Sequence, residues 1–351
     1  MYKCPQCFFK FRKQDALFRC ASIAQICAHS EDEIYHQFHD DERRLQGRVL
    51  GLQASSHNHF FNKTWNTLKD SFSCDACATV THQRLCPQCH HNLPPVFFDS
   101  EMIALGFICQ RAQELEAYVA YLKKVLEKTL AYDLQYVLRP ELSSTKFDLY
   151  LEKSSFKAKK SFLNFNKRPD VLQVRFYPLT LGLSNPSVES FEGIFILCDK
   201  MNAAEGRPYV PESIQNLILS TQQDMSSGVV HARNRKISVP VALIYSCFEN
   251  LTPLIPSSHP LFRQGDHGTG YNQEEGARIS SEMLAFTGYW FGSNTLQLIK
   301  RYFLRYRLFC QSFSYPESQP FLAHSGWRIE DPFLWVLYCL GKIKGVSKKR
   351  G

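Results

Sequence analysis

A chain of 351 residues, 44% hydrophobic and 21% charged, has enough apolar surface for a core, which excludes disorder as its overall state. Its formal charge of +8 favours anionic partners without requiring one. No run approaches the roughly 18 apolar residues of a membrane helix, since Met102–Cys109 and Phe333–Gly341 are short, so no membrane insertion is expected.

The chain opens Met1-Tyr2-Lys3-Cys4-Pro5, without the apolar segment of a secretory signal, so a cytoplasmic setting with reduced thiols is expected. Thirteen cysteines then need an explanation other than disulfides. Eight precede residue 90: Cys4, Cys7, Cys20, Cys27, Cys74, Cys77, Cys86 and Cys89. Six of them make three C-x-x-C pairs, each a turn that aims two thiolates at one point, and two such knuckles complete a tetrahedral S4 shell suited to zinc. Cys74-x2-Cys77-x8-Cys86-x2-Cys89 has the spacing of a short zinc ribbon. Cys4, Cys7 and Cys20 supply three further ligands, with Cys27 favoured as the fourth over His29, His36 and His39. The pairs could also interleave, Cys4 and Cys7 closing on Cys86 and Cys89. A thioredoxin-like dithiol fits less well, because prolines and glutamines surround these cysteines instead of a βαβ unit.

Residues 30–73 carry mixed charge (Glu31-Asp32-Glu33, Asp40-Asp41-Glu42-Arg43-Arg44) and histidines including His57 and His59, and read as an insertion on the cysteine module. Exposed loop positions are the default expectation for those histidines. A catalytic metal keeps an open coordination position, whereas full Cys4 shells are closed, so two structural zinc ions are expected.

From Pro94 cysteines thin out, and short apolar runs alternate with amphipathic stretches, the pattern of an α/β domain over 96–351 behind a module over 1–95. Strands are expected at Met102–Cys109, Leu172–Tyr177, Gly193–Cys198, Val239–Tyr245 and Leu308–Ser312. Helices are expected at Gln110–Tyr132, Pro211–Gln223, Glu274–Phe286, Asn294–Tyr306 and Asp331–Ile343. The first strand runs into the first helix, the place for a phosphate-binding loop, but Gly106-Phe107-Ile108-Cys109-Gln110-Arg111-Ala112-Gln113-Glu114 lacks the glycines, lysine and hydroxyl of one.

The order of an N-terminal CPxC knuckle, LFRC (Leu17–Cys20), RLCPQCHHNLP (Arg84–Pro94), IAL (Ile103–Leu105), FEGIFILCD (Phe191–Asp199), KISVPVALIYSCFENL (Lys236–Leu251) and RIEDPFLWVLYCLGKI (Arg328–Ile343) resembles prokaryotic zinc-ribbon-fused GTPases of the double-GTPase, TRAFAC-like group. The resemblance covers nearly the whole chain and implies a zinc-ribbon module followed by a P-loop-GTPase-like three-layer α/β domain. It sets the loop glycine, lysine and serine on Ala112, Gln113 and Glu114, and the guanine-reading T-K-x-D on Ser246-Cys247-Phe248-Glu249. The aspartate that holds magnesium through water falls near Pro178. Every chemical station is altered, so the resemblance implies a pseudo-GTPase. It further implies an adaptor or scaffold in a multi-protein bacterial system of the conflict or phage-defence kind, with a protein partner, an intact GTPase among the candidates.

Ser154–Arg168 holds Lys157, Lys159, Lys160, Lys167 and Arg168 with Phe156, Phe162 and Phe165 and no acid. It is a nucleic-acid or partner contact in the alternative reading of a nucleic-acid-binding zinc-ribbon protein, and a solvated loop otherwise. A third reading, an atypical active GTPase, has little to offset the triphosphate charge. Gly265–Gly270 reads as a surface loop, and Lys344, Lys348 and Lys349 as a basic tail. Asp199, Glu249 and Asp331 read as capping or solvated acids, and Cys109, Cys198, Cys247, Cys310 and Cys339 as small buried hydrophobes.

Overall fold

The structure, a computed structural model, describes residues 1–22, 27, 31–39, 47–50, 71–109, 111–133, 136–142, 145–153, 171–179, 188–198, 214–215, 217–219, 236–245, 256, 258–262, 270–311 and 328–346. It divides into two compact units, Met1–Met102 with Arg168–Gln173, and Ile103–Lys167 with Val174–Gly351. Composition placed the border at 95/96.

The first unit is built from very short strands: β1 (Tyr2–Lys3), β2 (Lys10–Phe11), β3 (Leu17–Arg19), β4 (Val49–Leu50), β5 (Phe72–Ser73), β6 (Val80–Thr81) and β7 (Arg84–Leu85), with helix α1 (Glu33–Phe38). β1–β2 and β5–β6 are hairpins around C-x-x-C turns, and β4-β3-β7 form a three-stranded sheet. Strands this short cannot hold a fold alone. Two small cores support them, one of Cys4, Phe11, Ala16, Cys86, Cys89, Leu93 and Phe97, the other of Phe18, Cys20, Cys27, Leu50 and Cys74. Cysteine is thus the centre of both cores.

The rest of the chain forms a seven-stranded mixed sheet from β8 (Ser100–Ile108), β9 (Tyr136–Leu138), β10 (Asp148–Lys153), β11 (Val171–Pro178), β12 (Gly193–Cys198), β13 (Val241–Tyr245) and β15 (Tyr306–Cys310), in the order β15-β13-β12-β8-β11-β10-β9. β8, β12, β13 and β15 run parallel, whereas β9 and β10 pair antiparallel. The central strands β12 and β13 are continuous apolar runs, as strands covered on both faces must be, and every residue of both is buried. The remaining elements are α2 (Ala112–Asp133), α3 (Gln273–Tyr302), α4 (Asp331–Cys339) and a small parallel pair, β14 (Tyr271–Asn272) with β16 (Gly345–Val346).

The strand at 193–198 has its expected bounds, and the other expected strands lie within about two residues of theirs. β9 and β10 were not foreseen. The two helices expected at 274–286 and 294–306 form one run, α3, with a break at Gly292, whose φ of 78° and ψ of 169° interrupt the helix. The last helix ends at Cys339 instead of Ile343, and Gly341 follows in the left-handed region with φ 68°. Of the helix expected at 211–223, residues 214–215 and 217–219 are described, and they are helical.

Aromatic packing gives the larger unit its centre. Phe107 on β8, Tyr118 on α2, Phe176 on β11 and Phe195 on β12 have ring centroids 5.1 to 6.5 Å apart, and all four are at most 1% exposed. Each such burial contributes about 1.5–3 kcal/mol. Gly193 opens β12 where a Cβ would stand 2.8 Å from Val336 of α4, so a side chain there would force helix and sheet apart.

Two buried ionic groups complete this unit. Arg175 of β11 donates Nε and Nη2 to Asp148 of β10 at 2.5 and 2.7 Å, a bidentate pair, with Asp148 fully buried. Arg328, at φ 51° and 3% exposed, donates Nε to Asp331 at 2.7 Å and Nη2 to Glu275 at 2.9 Å. Asp331, read from the sequence as a capping or solvated acid, is therefore a buried partner of arginine. Gln311 at the end of β15 donates Nε2 to the carbonyls of Arg328 and Ile329, and the Tyr118 hydroxyl donates to Ile329, which ties this turn to α2. Cys198 and Cys310 are buried as expected, whereas Cys109 and Cys339 are half-buried.

Candidate metal centres

The three C-x-x-C turns share one local conformation. After the first cysteine the chain makes a tight turn, and the residue following the second cysteine sits in the left-handed region: Phe8 at φ 61°, Ala78 at 58° and His90 at 53°. That conformation costs about 1–2 kcal/mol for a residue with a side chain, so something at the knuckle must repay it. In each turn the N–H of the left-handed residue donates to the carbonyl of the first cysteine, and the first cysteine's N–H donates to the carbonyl one residue further on. The backbone N–H groups of Gln6 and Gln88 also point at sulfur, 3.3 Å from Cys4 Sγ and 3.4 Å from Cys86 Sγ. Donors aimed at sulfur favour thiolate, the form that binds metal.

Among the described residues the eight cysteines fall into two quartets, Cys4, Cys7, Cys86 and Cys89, and Cys20, Cys27, Cys74 and Cys77, each with its sulfurs within 4.8 Å of one another. The first knuckle thus meets the third. The short ribbon over Cys74–Cys89, and the set of Cys4 and Cys7 with Cys20 and Cys27, are not formed. Antiparallel pairing of β3 with β7, Leu17 opposite Leu85 and Phe18 opposite Arg84, is the reason: it carries Cys86 toward the N-terminal hairpin and leaves Cys20, at the far end of β3, beside Cys74 and Cys77. Cys27 does join Cys20, as expected. His36 and His39 belong to neither quartet, and His29, His57 and His59 lie outside the described residues.

Sulfur separations identify what the quartets can do. Cys4–Cys89, Cys7–Cys86, Cys20–Cys77 and Cys27–Cys74 are 3.6, 3.7, 3.6 and 3.8 Å apart. A disulfide would need about 2.05 Å. A tetrahedron of sulfurs about 2.3 Å from a central ion has edges of about 3.8 Å. None of the eight cysteines is in a disulfide, and both quartets could hold a metal ion. Packing also spreads the thiol acidities. Hydrogen bonds from Cys4 and Cys7 pull Cys86 far down, and the Thr79 hydroxyl and backbone draw Cys77 to about 6, whereas burial lifts Cys27 to about 12. Four close thiols cannot all ionise unaided, so a bound cation would displace the remaining protons, and acid would compete with it.

An ionic group that the sequence did not announce lies behind the first quartet. Asp32 of the inserted segment caps α1 by accepting from the Tyr35 N–H at 3.1 Å, accepts from Arg19 Nη2 at 2.9 Å and lies 2.7 Å from His90 Nδ1. Burial opposes its charge, but bonds with His90, the Tyr35 backbone and Arg19 prevail and hold its carboxyl below the ordinary value. Arg19 also reaches the carbonyl of His90, and His39 Nε2 lies 3.2 Å from the carbonyl of Cys89 while its ring stacks on Tyr35 and His91. These residues hold the Cys86–Cys89 turn through its Cys89 and His90 carbonyls, the supporting role that outer partners play at metal sites. Asp32→Ala is expected to lower the stability of this unit by about 3 kcal/mol, because Arg19 is left charged and buried. Metal-loaded thermal unfolding checks it.

No family model matches this chain, and no curated protein matches it.

Of the other predicted site residues, Ala112, Gln113 and Glu114 form the first turn of α2, directly beyond the carboxyl end of β8. Ser246 and Glu249, which follow β13, lie outside the described residues, as do Lys157, Lys159, Lys160, Lys167 and Arg168, Asp199, Cys247, residues 265–269 of the glycine-rich loop, and Lys348 and Lys349. Among the described residues no helix is long and apolar enough to cross a membrane.

Proposed function

We propose that this chain is a zinc-binding pseudo-GTPase that works without catalysis, as an adaptor or scaffold in a multi-protein bacterial system of the conflict or phage-defence kind, with an active GTPase among its candidate partners. Zinc is the ion assigned to both quartets, because four thiolates at tetrahedral spacing suit a closed-shell ion without geometric preference. Structural zinc would contribute its binding energy to folding of the first unit and leave no coordination position for a substrate. A reduced, cytoplasmic setting belongs to the same reading.

The observation that carries the non-catalytic reading is the start of α2. A phosphate-binding loop leaves the first N–H groups of its helix for the phosphate. Here the Arg111 N–H donates to Glu114 Oε2 at 3.3 Å, and the Arg111 guanidinium lies 3.9 Å from the same carboxylate. The helix is capped by its own carboxylate, and an incoming phosphate would meet negative charge. Strand order adds support: β9, β10 and β11 step inward from one edge to β8, and β12, β13 and β15 step outward on its other side, and such sheets bind ligand beyond the carboxyl end of the strand where the order reverses. Glu114 stands in that position.

Titration of the metal-loaded protein with a fluorescent GTP analogue and magnesium is expected to give no saturable signal at micromolar concentrations. A saturable signal competed by GTP would overturn the reading. Pull-down from the native host is expected to recover a stoichiometric protein partner, and its absence would remove the adaptor role.

A further inference from the structure

In the larger unit, positive charge gathers where α3 ends and β15 begins. Lys300 and Arg301 stand on the last turn of α3, and Leu304 and Arg305 lie in the turn that leads to β15. The segment before β13 runs alongside: Lys236 Nζ donates to the Lys300 carbonyl at 3.1 Å, the Ile237 N–H to the Tyr302 carbonyl at 2.8 Å, and the Leu304 N–H to the Ile237 carbonyl at 2.9 Å. These three bonds join Lys236, Lys300, Arg301 and Leu304 into one surface, which Arg305 borders.

Lys300, Arg301 and Arg305 are exposed, and Lys236 is half-buried. Among the described residues none of these four cations has a carboxylate at ion-pair distance, and Arg301 lies over the ring of its neighbour Tyr302 at 5.6 Å. The sequence explains the lack: it holds no aspartate or glutamate from Met225 to Phe248 or from Met283 to Pro316. Cations beside the last carbonyls of a helix are favoured by its dipole, which accounts for Lys236 and Lys300. It does not account for Arg305, beyond the helix, or for Leu304, the most exposed leucine of the described residues at 59%. A single exposed leucine is ordinary by itself. Here it stands amid charges that no neighbour neutralises, so whatever covers the surface meets both.

We propose that this surface docks an acidic segment of a protein partner, with carboxylates against Lys236, Lys300 and Arg301 and an apolar side chain of the segment over Leu304. The proposal gives the adaptor its docking surface and rests on that reading. Charge complementarity selects an anion, and Leu304 selects among anions. A nucleic-acid strand gains from open aromatic faces for its bases, whereas the ring here has Arg301 over it and the open apolar group is aliphatic. An anionic bilayer is held through a broader apolar face than one leucine. A peptide carries carboxylates that match the planar fork of Arg301 and places apolar side chains among them.

The test uses the full metal-loaded chain and a fluorescein-labelled synthetic peptide of glutamates around a central leucine, followed by anisotropy across a salt series. Saturable binding is expected at low salt, and none when glutamine replaces every glutamate. Lys300→Glu/Arg301→Glu is expected to weaken binding about tenfold at low salt, and less as added salt screens these exposed pairs. Leu304→Ala is expected to weaken it about fivefold at every salt concentration, because what is lost is apolar contact. Should the double reversal disturb the end of α3, Lys300→Gln/Arg301→Gln carries the comparison. Four results would overturn the proposal: no binding of the peptide at low salt; binding unchanged by these variants; stronger competition by a single-stranded oligonucleotide of equal charge; or stronger competition by phosphatidylserine vesicles. In pull-down from the host, a partner retained equally by Lys300→Glu/Arg301→Glu would overturn this surface and leave the adaptor role standing. Recovery of no partner by the parent chain would remove the adaptor role, while the peptide titration reads the surface by itself.

Discussion

Cys86→Ser is expected to lower bound metal from two equivalents to one and to unfold the first unit at temperatures the parent protein withstands. The size of the effect follows from how little else holds that unit. Its strands are two or three residues long, and its two cores have cysteines at their centres. Structural zinc in small domains contributes about 10–16 kcal/mol at neutral pH, more than such cores supply. The same experiment tests the pairing. Cys7 and Cys86 belong to one quartet, so Cys7→Ser/Cys86→Ser is expected to lose no more metal than either single change. Cys7→Ser/Cys20→Ser crosses quartets and is expected to lose both equivalents. The reverse result, with Cys7 and Cys20 acting together and Cys86 independent of Cys7, would restore the short ribbon over Cys74–Cys89. Metal content of purified variants, measured directly, separates the two outcomes.

Asp148→Asn is expected to destabilise the larger unit by about 3–5 kcal/mol, because removing one partner of a buried pair strands the other charge away from water. Arg175 is 7% exposed and directs two donors at Asp148. The double replacement Asp148→Leu/Arg175→Met removes both charges and is expected to recover most of the loss, since a buried pair is worth little net against apolar residues of similar volume. Denaturant unfolding of the four proteins in the cycle gives both numbers. Equal destabilisation in the single and double variants would show that the pair serves packing and not charge neutralisation.

The contrast between these two sites shows what a linear reading can reach. Six of the eight quartet cysteines were legible because a C-x-x-C turn is a local structure whose chemistry needs only four consecutive residues, and Cys20 and Cys27 were the cysteines left to complete a second set. Parallel strands β8, β12 and β13 were legible for a related reason: a strand covered on both faces is a continuous apolar run, and runs such as Gly193–Cys198 carry that signal locally. β9 and β10 were not, since Asp148-Leu149-Tyr150-Leu151-Glu152-Lys153 mixes charge with apolar residues and becomes a strand through its partners. Nothing near Asp148 along the chain shows that Arg175, 27 residues away, lies beside it.

Asp32 gives the same lesson in the cysteine module. Within Glu31-Asp32-Glu33 it was one of three acids in a mixed-charge insertion, yet it alone is buried of the three, because Arg19 and His90 converge on it from positions 13 and 58 residues away. Local spacing was enough to define the thiol chemistry of the quartets, the number of knuckles and the buried parallel strands, since each depends on neighbours along the chain. Which knuckles come together, and that Asp32 is buried between Arg19 and His90, depended on a pairing of β3 with β7 across more than sixty residues. Long-range ladders of that kind are selected by the total burial they allow, a quantity that no short window of sequence contains.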